Sequence, residues 1–189
     1  MNQIQLDRIH ALLKASNIAV TSGLTDKEIT AAESQYGFRF PPDLRALLQA
    51  FLPLAARFPD WRHADPAALH HWLQGPEDGI CFDIEHAGFW WPEWGPRPGE
   101  LAQALAVARR ALGTVPGLIP VFAHRYLPDE PNLEGNPVFS VHQTDIIYYG
   151  HDLVSYFENE FARATGAPLP VPVDNRRLRR IRFWSALVE

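Results

Sequence analysis

Residues Asn136 to Gly150 read NPVFSVHQTDIIYYG and carry the clearest structural signal in the chain. β-Branched and aromatic residues dominate the two halves of this stretch, Val138 to His142 and Ile146 to Tyr149. The polar residues between the halves are of the kind that turns prefer. The pattern therefore predicts two strands joined by one bend. We expect the Asp145 carboxylate to close that bend by accepting hydrogen bonds from nearby backbone N–H groups.

Three helices are predicted near the N-terminus. A partial apolar stripe indicates the first, over Gln3 to Ala15. In the second, Thr25 is placed to cap the helix, Glu28 to complete a capping box, and Gly37 to end the helix in the left-handed conformation. Pro42 stands in the first turn of the third helix, where its missing N–H costs no hydrogen bond. The apolar residues that follow it have helical spacing: Leu44, Leu47, Leu48 and Phe51.

The middle of the chain predicts a short helix followed by a strand. Asp65-Pro66 opens the helix, which runs through Leu73 and ends at Gly75-Pro76. From Ile80 to Glu85, apolar and polar residues alternate, which predicts a strand with one buried face. The other predicted elements are a helix from about Pro98 to Leu112, a strand from Leu118 to Ala123 that Pro120 restricts to a sheet edge or a strand beginning, a loop from Leu127 to Pro137, and a helix from about Asp152 to Arg163 that Gly166 ends.

The order of these elements lacks a regular alternation of strands and helices. It favours an α+β fold in which helices pack on a mainly antiparallel sheet. The chain has 189 residues, of which 47% are hydrophobic, and this is long enough for one well-buried core. We therefore predict a single domain over residues 1–189, with an N-terminal helical extension and an arginine-rich C-terminal tail.

Two of these signatures together resemble the SUKH superfamily, the Smi/Knr-like proteins. The first is Leu24-Thr25-Asp26-Lys27-Glu28-Ile29 with Glu33, Tyr36-Gly37 and Pro41-Pro42-Asp43-Leu44, and the second is Asn136 to Gly150. The resemblance extends from Leu24 to Phe161, and it implies an α+β fold and a non-catalytic interaction protein whose partner differs from member to member. Many bacterial members look like immunity proteins that bind a toxin from the same locus, and fungal relatives look like regulatory scaffolds. The apolar run Phe51-Leu52-Pro53-Leu54 departs from the family, whose members often carry an Asn-Gly or similar turn there.

The composition indicates in which compartment the protein acts and which classes of partner are excluded. The net charge is −5 and the pI is about 5.9, which removes the long-range attraction to phosphate that drives most nucleic-acid binding. Cys81 is the only cysteine, which excludes an intramolecular disulfide, and its apolar neighbours indicate a small buried side chain. No apolar stretch has the length of a membrane span, and the N-terminus lacks the apolar core of a signal peptide. We expect a soluble, cytoplasmic protein without a membrane partner.

Eight histidines and several acids raise the question of an enzyme. The candidates for a metal or acid–base site are predicted at strand ends and adjoining loops: Asp83, Glu85, His86, His124, His142 and Asp145. None of them has a diagnostic metal-binding spacing, and no Gly-x-Ser-x-Gly or phosphate-binding glycine motif is present. We therefore predict no catalysis, no metal and no cofactor. A metal-dependent hydrolase that uses these residues is the alternative from another class.

The segment from Glu85 to Gly95 reads EHAGFWWPEWG and contains three of the six tryptophans. One interpretation is that these rings close one end of the core. The other is that some rings stay exposed within a charged rim, as in protein interfaces. Adjacent residues of an extended chain point to opposite sides, so we expect one of Trp90 and Trp91 to be a contact and the other to be core. The predicted partner-binding residues are Glu85, His86, Trp90, Trp91 and Trp94, with His124, Arg125 and Tyr126 nearby.

The C-terminal tail carries five arginines, Arg176, Arg177, Arg179, Arg180 and Arg182. They form either a solvated, self-paired face or a docking site for an acidic surface or a nucleic acid backbone. The apolar residues among them predict that the tail packs back on the body: Leu178, Ile181, Phe183 and Trp184. Together with the resemblance, these patterns predict a protein-binding module, foremost an immunity protein that neutralises a toxin domain. A regulatory scaffold of the same superfamily is the second candidate.

Overall fold

The computed structural model describes residues 1–162 and 178–188. Within these ranges the chain has an α+β fold, which confirms the predicted class. The elements in chain order are α1 (Gln3–Ala15), β1 (Ala19–Ser22), α2 (Asp26–Tyr36), α3 (Pro42–Ala50), β2 (Phe51–Leu54), α4 (Pro66–His86), a 3-10 helix (Pro92–Trp94), α5 (Leu101–Leu112), β3 (Leu118–Phe122), β4 (Arg125–Pro128), β5 (Val138–His142), β6 (Asp145–Gly150), α6 (Leu153–Phe161) and a second 3-10 helix (Trp184–Ala186). No helix in the two ranges is long and apolar enough to cross a lipid bilayer.

The main sheet is antiparallel and has the strand order β3-β4-β5-β6, while β1 and β2 pair separately. Its two hairpins turn at the same end of the sheet, each through two residues, Ala123-His124 and Gln143-Thr144. The first residue of each turn has a positive φ, 50° at Ala123 and 58° at Gln143, which suits the twist of two-residue hairpins. The strand with Pro120 lies at a sheet edge, as predicted.

The two faces of the main sheet bury two separate hydrophobic clusters, because successive side chains of a strand point to opposite sides. One cluster joins the sheet to α1, α2, α3 and α6, and the sheet contributes Ile119, Val121, Phe122, Leu127 and Val138 to it. The other joins the sheet to the C-terminal half of α4, to α5 and to the tail, and the sheet contributes Leu118, Tyr126, Phe139, Val141 and Ile146.

The N-terminal helices lie where the sequence predicts them. In α1, Ile9 and Leu13 are fully buried, so the predicted extension is part of the core. Thr25 and Glu28 form the predicted capping box of α2, and Gly37 ends that helix with a φ of 75°. Arg62 adds a bond that local sequence does not reveal. Its Nε donates to Glu28 Oε1 over 2.6 Å, and this hydrogen bond is the largest cause that lowers the pKa of Glu28 to about 2.

The helix α4 is the main departure from the sequence prediction. A single helix over Pro66–His86 replaces the predicted short helix and the predicted strand from Ile80 to Glu85. The alternating pattern misleads because Ile80 and Ile84 are also one helical turn apart. Both of these side chains are fully buried, whereas Phe82 lies on the outer side of the helix and is 48% exposed.

Pro76 stays inside α4 because the neighbouring sheet compensates for its missing N–H. The carbonyl of Trp72, four residues earlier, has no intrahelical donor for this reason. The hydroxyl of Tyr126 donates to that carbonyl over 3.3 Å. Gly75 permits the approach, because a Cβ at this position would stand 3.2 Å from the Tyr126 hydroxyl. The Gly75-Pro76 pair, which predicts a helix end, is thus a contact point between α4 and β4.

The strand β4 lies where the sequence predicts the beginning of a loop. All four of its residues are buried, so they show no alternation of apolar and polar types. Two helices begin close to their predicted starts. α5 begins at Leu101 rather than Pro98, and α6 begins directly after its capping residue Asp152. The predicted end of the last helix, with Arg163 and Gly166, lies outside the described residues.

Asp83, and not Asp145, secures the hairpin between β5 and β6. Its carboxylate accepts hydrogen bonds from the backbone N–H and the hydroxyl of Thr144, over 2.9 and 2.5 Å. Gly79 lets α4 approach the turn, because a Cβ there would stand 2.9 Å from the Cα of Gln143. The side chain of Asp145 is exposed and has no hydrogen-bond partner among the described residues. Its predicted role is wrong, because the two-residue turn makes Asp145 the first residue of β6 and not a residue of the turn.

Candidate functional site

The predicted tryptophan segment begins where α4 ends. The guanidinium of Arg97 donates to the carbonyls of Ile84 and Gly88, at N–O distances of 2.7 and 3.2 Å. A cation at this place offsets the partial negative charge of the helix C-terminus. The backbone then turns at Gly88, with a φ of 73°, and again at Gly95, with a φ of 81°. These turns fold the segment into a short, anchored loop.

Four aromatic rings form a surface that we name the tryptophan platform: Trp90, Trp91, Trp94 and Phe183. The ring of Trp94 is stacked on that of Phe183 at a centroid distance of 6.0 Å and meets Trp90 edge-on at 5.3 Å. Trp91 meets Phe183 edge-on at 5.4 Å. Stacked and edge-on arrangements are those that aromatic pairs prefer. All three tryptophans are half-buried and pack on the second hydrophobic cluster.

Trp90 is the outer ring of the platform. Its indole N–H donates to the carbonyl of Gly95 over 2.7 Å. Among the described residues its only ring contact is with Trp94. Trp91 and Trp94, in contrast, rest on Phe183, which is buried. The predicted division of Trp90 and Trp91 into a contact and a core residue does not appear in the structure, because both rings are half-buried.

The platform is built from two distant parts of the chain. Phe183 belongs to the C-terminal tail, and its φ of 69° is strained for a residue with a large side chain. The indole N–H of its neighbour Trp184 donates to the carbonyl of Pro116 over 2.7 Å. Ile181 and Trp184 are buried, so the prediction that the tail packs on the body is confirmed for its described part. Sequence reasoning missed Phe183 as a site residue, although the apolar residues among the arginines were a signal for it.

Two of the described tail arginines, Arg179 and Arg182, bind oxygen atoms of the same chain. Arg179 donates to the side-chain oxygen of Asn136 and to the carbonyl of Glu134. Arg182 donates to the carbonyl of Thr114. For these two arginines the contacts favour the self-paired interpretation over a docking site. Arg176 and Arg177 lie outside the described residues.

Three exposed polar residues flank the platform tryptophans in the chain: Glu85, His86 and Glu93. Glu85 and His86 lie in the last turn of α4, and not at a strand end as predicted; Glu85 Oε2 is 3.8 Å from His86 Nε2. The ring of His86 also contacts that of Phe82, at a centroid distance of 4.3 Å. Glu93 is exposed in the first 3-10 helix and has no hydrogen-bond or ion-pair partner among the described residues. We name Glu85 and Glu93 the acidic rim.

The residues His124, Arg125 and Tyr126 do not join the platform. The hydroxyl of Tyr126 contacts α4 at Trp72. At 1.5 Å per residue, this point is about 20 Å along the helix axis from Glu85. The predicted site is therefore divided into two regions at different ends of α4, and only the tryptophan region carries a cluster of half-exposed rings.

Arg125 has internal partners. Its Nη1 donates to Ser140 Oγ over 2.8 Å, and its Nε lies 3.3 Å from Glu160 Oε2. Its guanidinium carbon is 3.9 Å from the centroid of the Tyr149 ring. His124 is exposed in the hairpin turn, and its pKa is lowered by partial burial first and by the nearby Arg125 second. Of the three residues predicted near the platform, the structure thus places Arg125 and Tyr126 inside the protein and leaves His124 at the surface.

The alternative of a hydrolase depends on convergence of the acid and histidine candidates. In the part of the chain that the structure describes, no group of three or more His, Cys, Asp or Glu residues is placed to hold a metal ion. Asp83 is bound to Thr144. The charged groups of described residues that act on His124 are Arg125, His142 and Arg57, with no carboxylate among them. Burial raises the pKa of the Cys81 thiol, which disfavours the thiolate that a nucleophile requires.

These features define an α+β protein with a half-buried aromatic surface at the end of its 21-residue helix α4. Comparison of the chain with protein-family models, with curated proteins and with solved structures finds no match. The resemblance to the SUKH superfamily stays a prediction.

Proposed function

We propose that the chain is a non-catalytic protein-binding module and that the tryptophan platform is its binding surface. The observation that carries this proposal is the state of Trp90, Trp91 and Trp94, which remain half-exposed although ring contacts and a hydrogen bond hold them in place. Clustered apolar surface of this kind marks interaction sites in soluble proteins. Tryptophan in particular is enriched among the residues that dominate binding energy in protein interfaces.

The platform is suited to binding because it is already ordered. Pro92 opens the 3-10 helix between the rings, and Arg97 anchors the loop to the end of α4. A surface with few free rotations loses little conformational entropy when a partner covers it. A large aromatic side chain buries about 150 to 250 Å² in all, and each platform tryptophan still exposes part of this area. An aromatic centre within a polar rim is also the usual arrangement of a specific interface.

The resemblance to the SUKH superfamily suggests a bacterial toxin domain as the partner and toxin neutralisation as the function. The net charge of −5 and the acidic rim suit a basic partner such as a nuclease domain, because complementary charge accelerates association and excludes wrong partners. A regulatory scaffold is distinguished from an immunity protein by the neighbouring gene. For an immunity protein we expect a large secreted protein with a variable C-terminal domain to be encoded there.

We expect Trp90→Ala to weaken the complex with that C-terminal domain by about 2 kcal/mol or more. The same change should keep the melting temperature within a few degrees of the wild type, because the ring is half-exposed. Titration calorimetry and thermal melting measure the two effects. The matched control is Ile147→Ala, since Ile147 is 48% exposed on β6 and lies on the opposite face of the main sheet.

The control should leave the affinity unchanged. An unchanged affinity of Trp90→Ala, or equal losses in both variants, would contradict the platform as the binding surface. Absence of any complex with the wild type would exclude the neighbouring domain as the partner.

A further inference from the structure

The hydrogen bond that Trp90 makes within the protein limits the interactions that it can offer to a partner. Its indole N–H is already bonded to the carbonyl of Gly95 over 2.7 Å. A partner therefore meets the ring of Trp90 without receiving a hydrogen bond from it. The electron-rich face of an indole attracts cations more strongly than the ring of any other side chain. The exposed part of Trp90 is thus chemically suited to a positive charge.

Two exposed acidic residues flank Trp90 in the chain. Glu93 belongs to the 3-10 helix that ends at Trp94, and the ring of Trp94 is 5.3 Å from that of Trp90. Glu85 lies in the last turn of α4, which leads directly into the loop that carries Trp90. The carboxylate of Glu93 has no ion-pair partner among the described residues. Near Trp90 in the chain, Glu93 therefore carries a negative charge that no described residue neutralises.

Three described cations are close to platform residues in the sequence, and each has another partner: Arg97, His86 and Arg182. Arg97 donates to the carbonyls of Ile84 and Gly88 at the end of α4. His86 lies beside Glu85 and against the ring of Phe82. An apolar side chain of a partner would bury the Glu93 carboxylate without a positive charge, which is unfavourable. A cationic side chain would satisfy both the ring and the carboxylate.

We infer that Trp90, Glu85 and Glu93 form a subsite for an arginine side chain of the protein partner. This inference rests on the proposed function and specifies the chemistry of its contact. The guanidinium lies over the exposed face of Trp90, and the carboxylates of the acidic rim stabilise its charge. Arginine fits better than lysine, because a guanidinium is planar, stacks on aromatic rings and is more weakly hydrated than an ammonium.

The test uses the full chain and two peptides that differ in charge alone. N-acetyl-Gly-Arg-Gly-amide supplies the guanidinium, and the same peptide with citrulline in place of arginine has nearly the same shape and no charge. Binding is followed through the indole N–H signals in ¹H–¹⁵N NMR spectra, up to about 50 mM peptide, because single contacts of this type are weak. We expect a saturable shift of the Trp90 signal and about three- to tenfold tighter binding of the arginine peptide, with the difference reduced by salt.

Three variants assign the effect to the subsite. Trp90→Leu keeps an apolar side chain without an aromatic face, and Glu93→Gln keeps the size of the side chain without its charge. In both variants the affinity for the arginine peptide should fall to that for the citrulline peptide. Because Trp90→Leu has no Trp90 signal, its binding is followed through the Trp94 signal. Glu130→Gln removes an exposed acid from the loop after β4 and should change nothing.

Equal affinities of the two peptides, no shift over the whole concentration range, or an unchanged preference in Trp90→Leu would overturn the arginine subsite. The peptides do not involve the natural partner, so this result is independent of the calorimetry of Trp90→Ala. If the calorimetry succeeds and the peptides show no preference for arginine, the protein-binding function stands and the occupant of the platform is not a cation.

Discussion

Replacing Trp184 by alanine should lower the free energy of unfolding by about 4 kcal/mol. Trp184 is 4% exposed, and its ring meets that of Phe183 at a centroid distance of 5.1 Å. Its indole N–H also donates to the buried carbonyl of Pro116. The substitution therefore leaves a cavity in the second hydrophobic cluster and removes the donor of that carbonyl. Urea unfolding followed by far-UV circular dichroism measures the loss.

Trp90→Ala is the matched control for this prediction, because it removes the same ring from a half-exposed place. Its loss should be about 1 kcal/mol. In Trp184→Ala the platform should also become less ordered, because Phe183 supports Trp91 and Trp94. A loss for Trp184→Ala no larger than that of Trp90→Ala would contradict the packing of the tail on the body.

Asp83→Ala is expected to cost about 2 to 3 kcal/mol of stability. The Asp83 carboxylate is buried and is the acceptor for both the backbone N–H and the hydroxyl of Thr144. Its removal leaves the turn between β5 and β6 without a bond to α4 and leaves a partly buried N–H without a partner. Hydrogen exchange at the Thr144 amide should accelerate in the variant, and chemical unfolding measures the loss.

Asp145→Ala provides the control for Asp83→Ala, because Asp145 directly follows Thr144, the residue that Asp83 binds. The side chain of Asp145 is exposed and has no hydrogen bond within the described residues, so its removal should change stability by less than about 0.5 kcal/mol. A larger loss of stability in Asp145→Ala than in Asp83→Ala would contradict the role given to Asp83. It would support the sequence-based expectation that the Asp145 carboxylate closes the bend.

The elements that the sequence predicts well are those whose signals are local. Thr25 and Glu28 are three residues apart and satisfy each other, and Gly37 ends the same helix without help from the rest of the chain. The β5–β6 hairpin is similar, because its strands and its turn are adjacent in the sequence. In these cases propensity, capping and burial lead to one structure.

The elements that the sequence misses depend on residues far along the chain. Pro76 continues α4 because Tyr126 donates to the carbonyl that the proline leaves without a donor, and no pattern around Pro76 reveals this partner. β4 is covered on both faces, so it shows no alternation. These two errors have the same physical cause, which is tertiary contact that outweighs the local pattern.

The candidate site also has a part that local sequence predicts and a part that depends on distant residues. The local concentration of rings makes Trp90, Trp91 and Trp94 predictable as a group. The support from Phe183 is not predictable, because it comes from a distant tail. Arg125 and Tyr126 have the composition of interface residues, but their partners Ser140 and Trp72 lie in other elements and hold them inside.

Solvent access to Trp90 is the property on which the proposed binding surface depends most directly. It is measured by ¹⁹F NMR of the chain labelled with 5-fluorotryptophan, with the six signals assigned by single Trp→Phe substitutions. A paramagnetic agent in the solvent then broadens each signal according to its exposure. Trp61 and Trp184, which are 8% and 4% exposed, provide the buried references.

We predict the largest broadening for Trp90, intermediate broadening for Trp91 and Trp94, and the least for Trp61 and Trp184. The order follows from the ring contacts among the described residues. Trp90 contacts only Trp94, which is itself half-exposed, whereas Trp91 and Trp94 both contact the buried ring of Phe183. The proposal would be contradicted if the signals of all three platform tryptophans were as protected as the signal of Trp184. The rings would then belong to the core, and no partner could reach them.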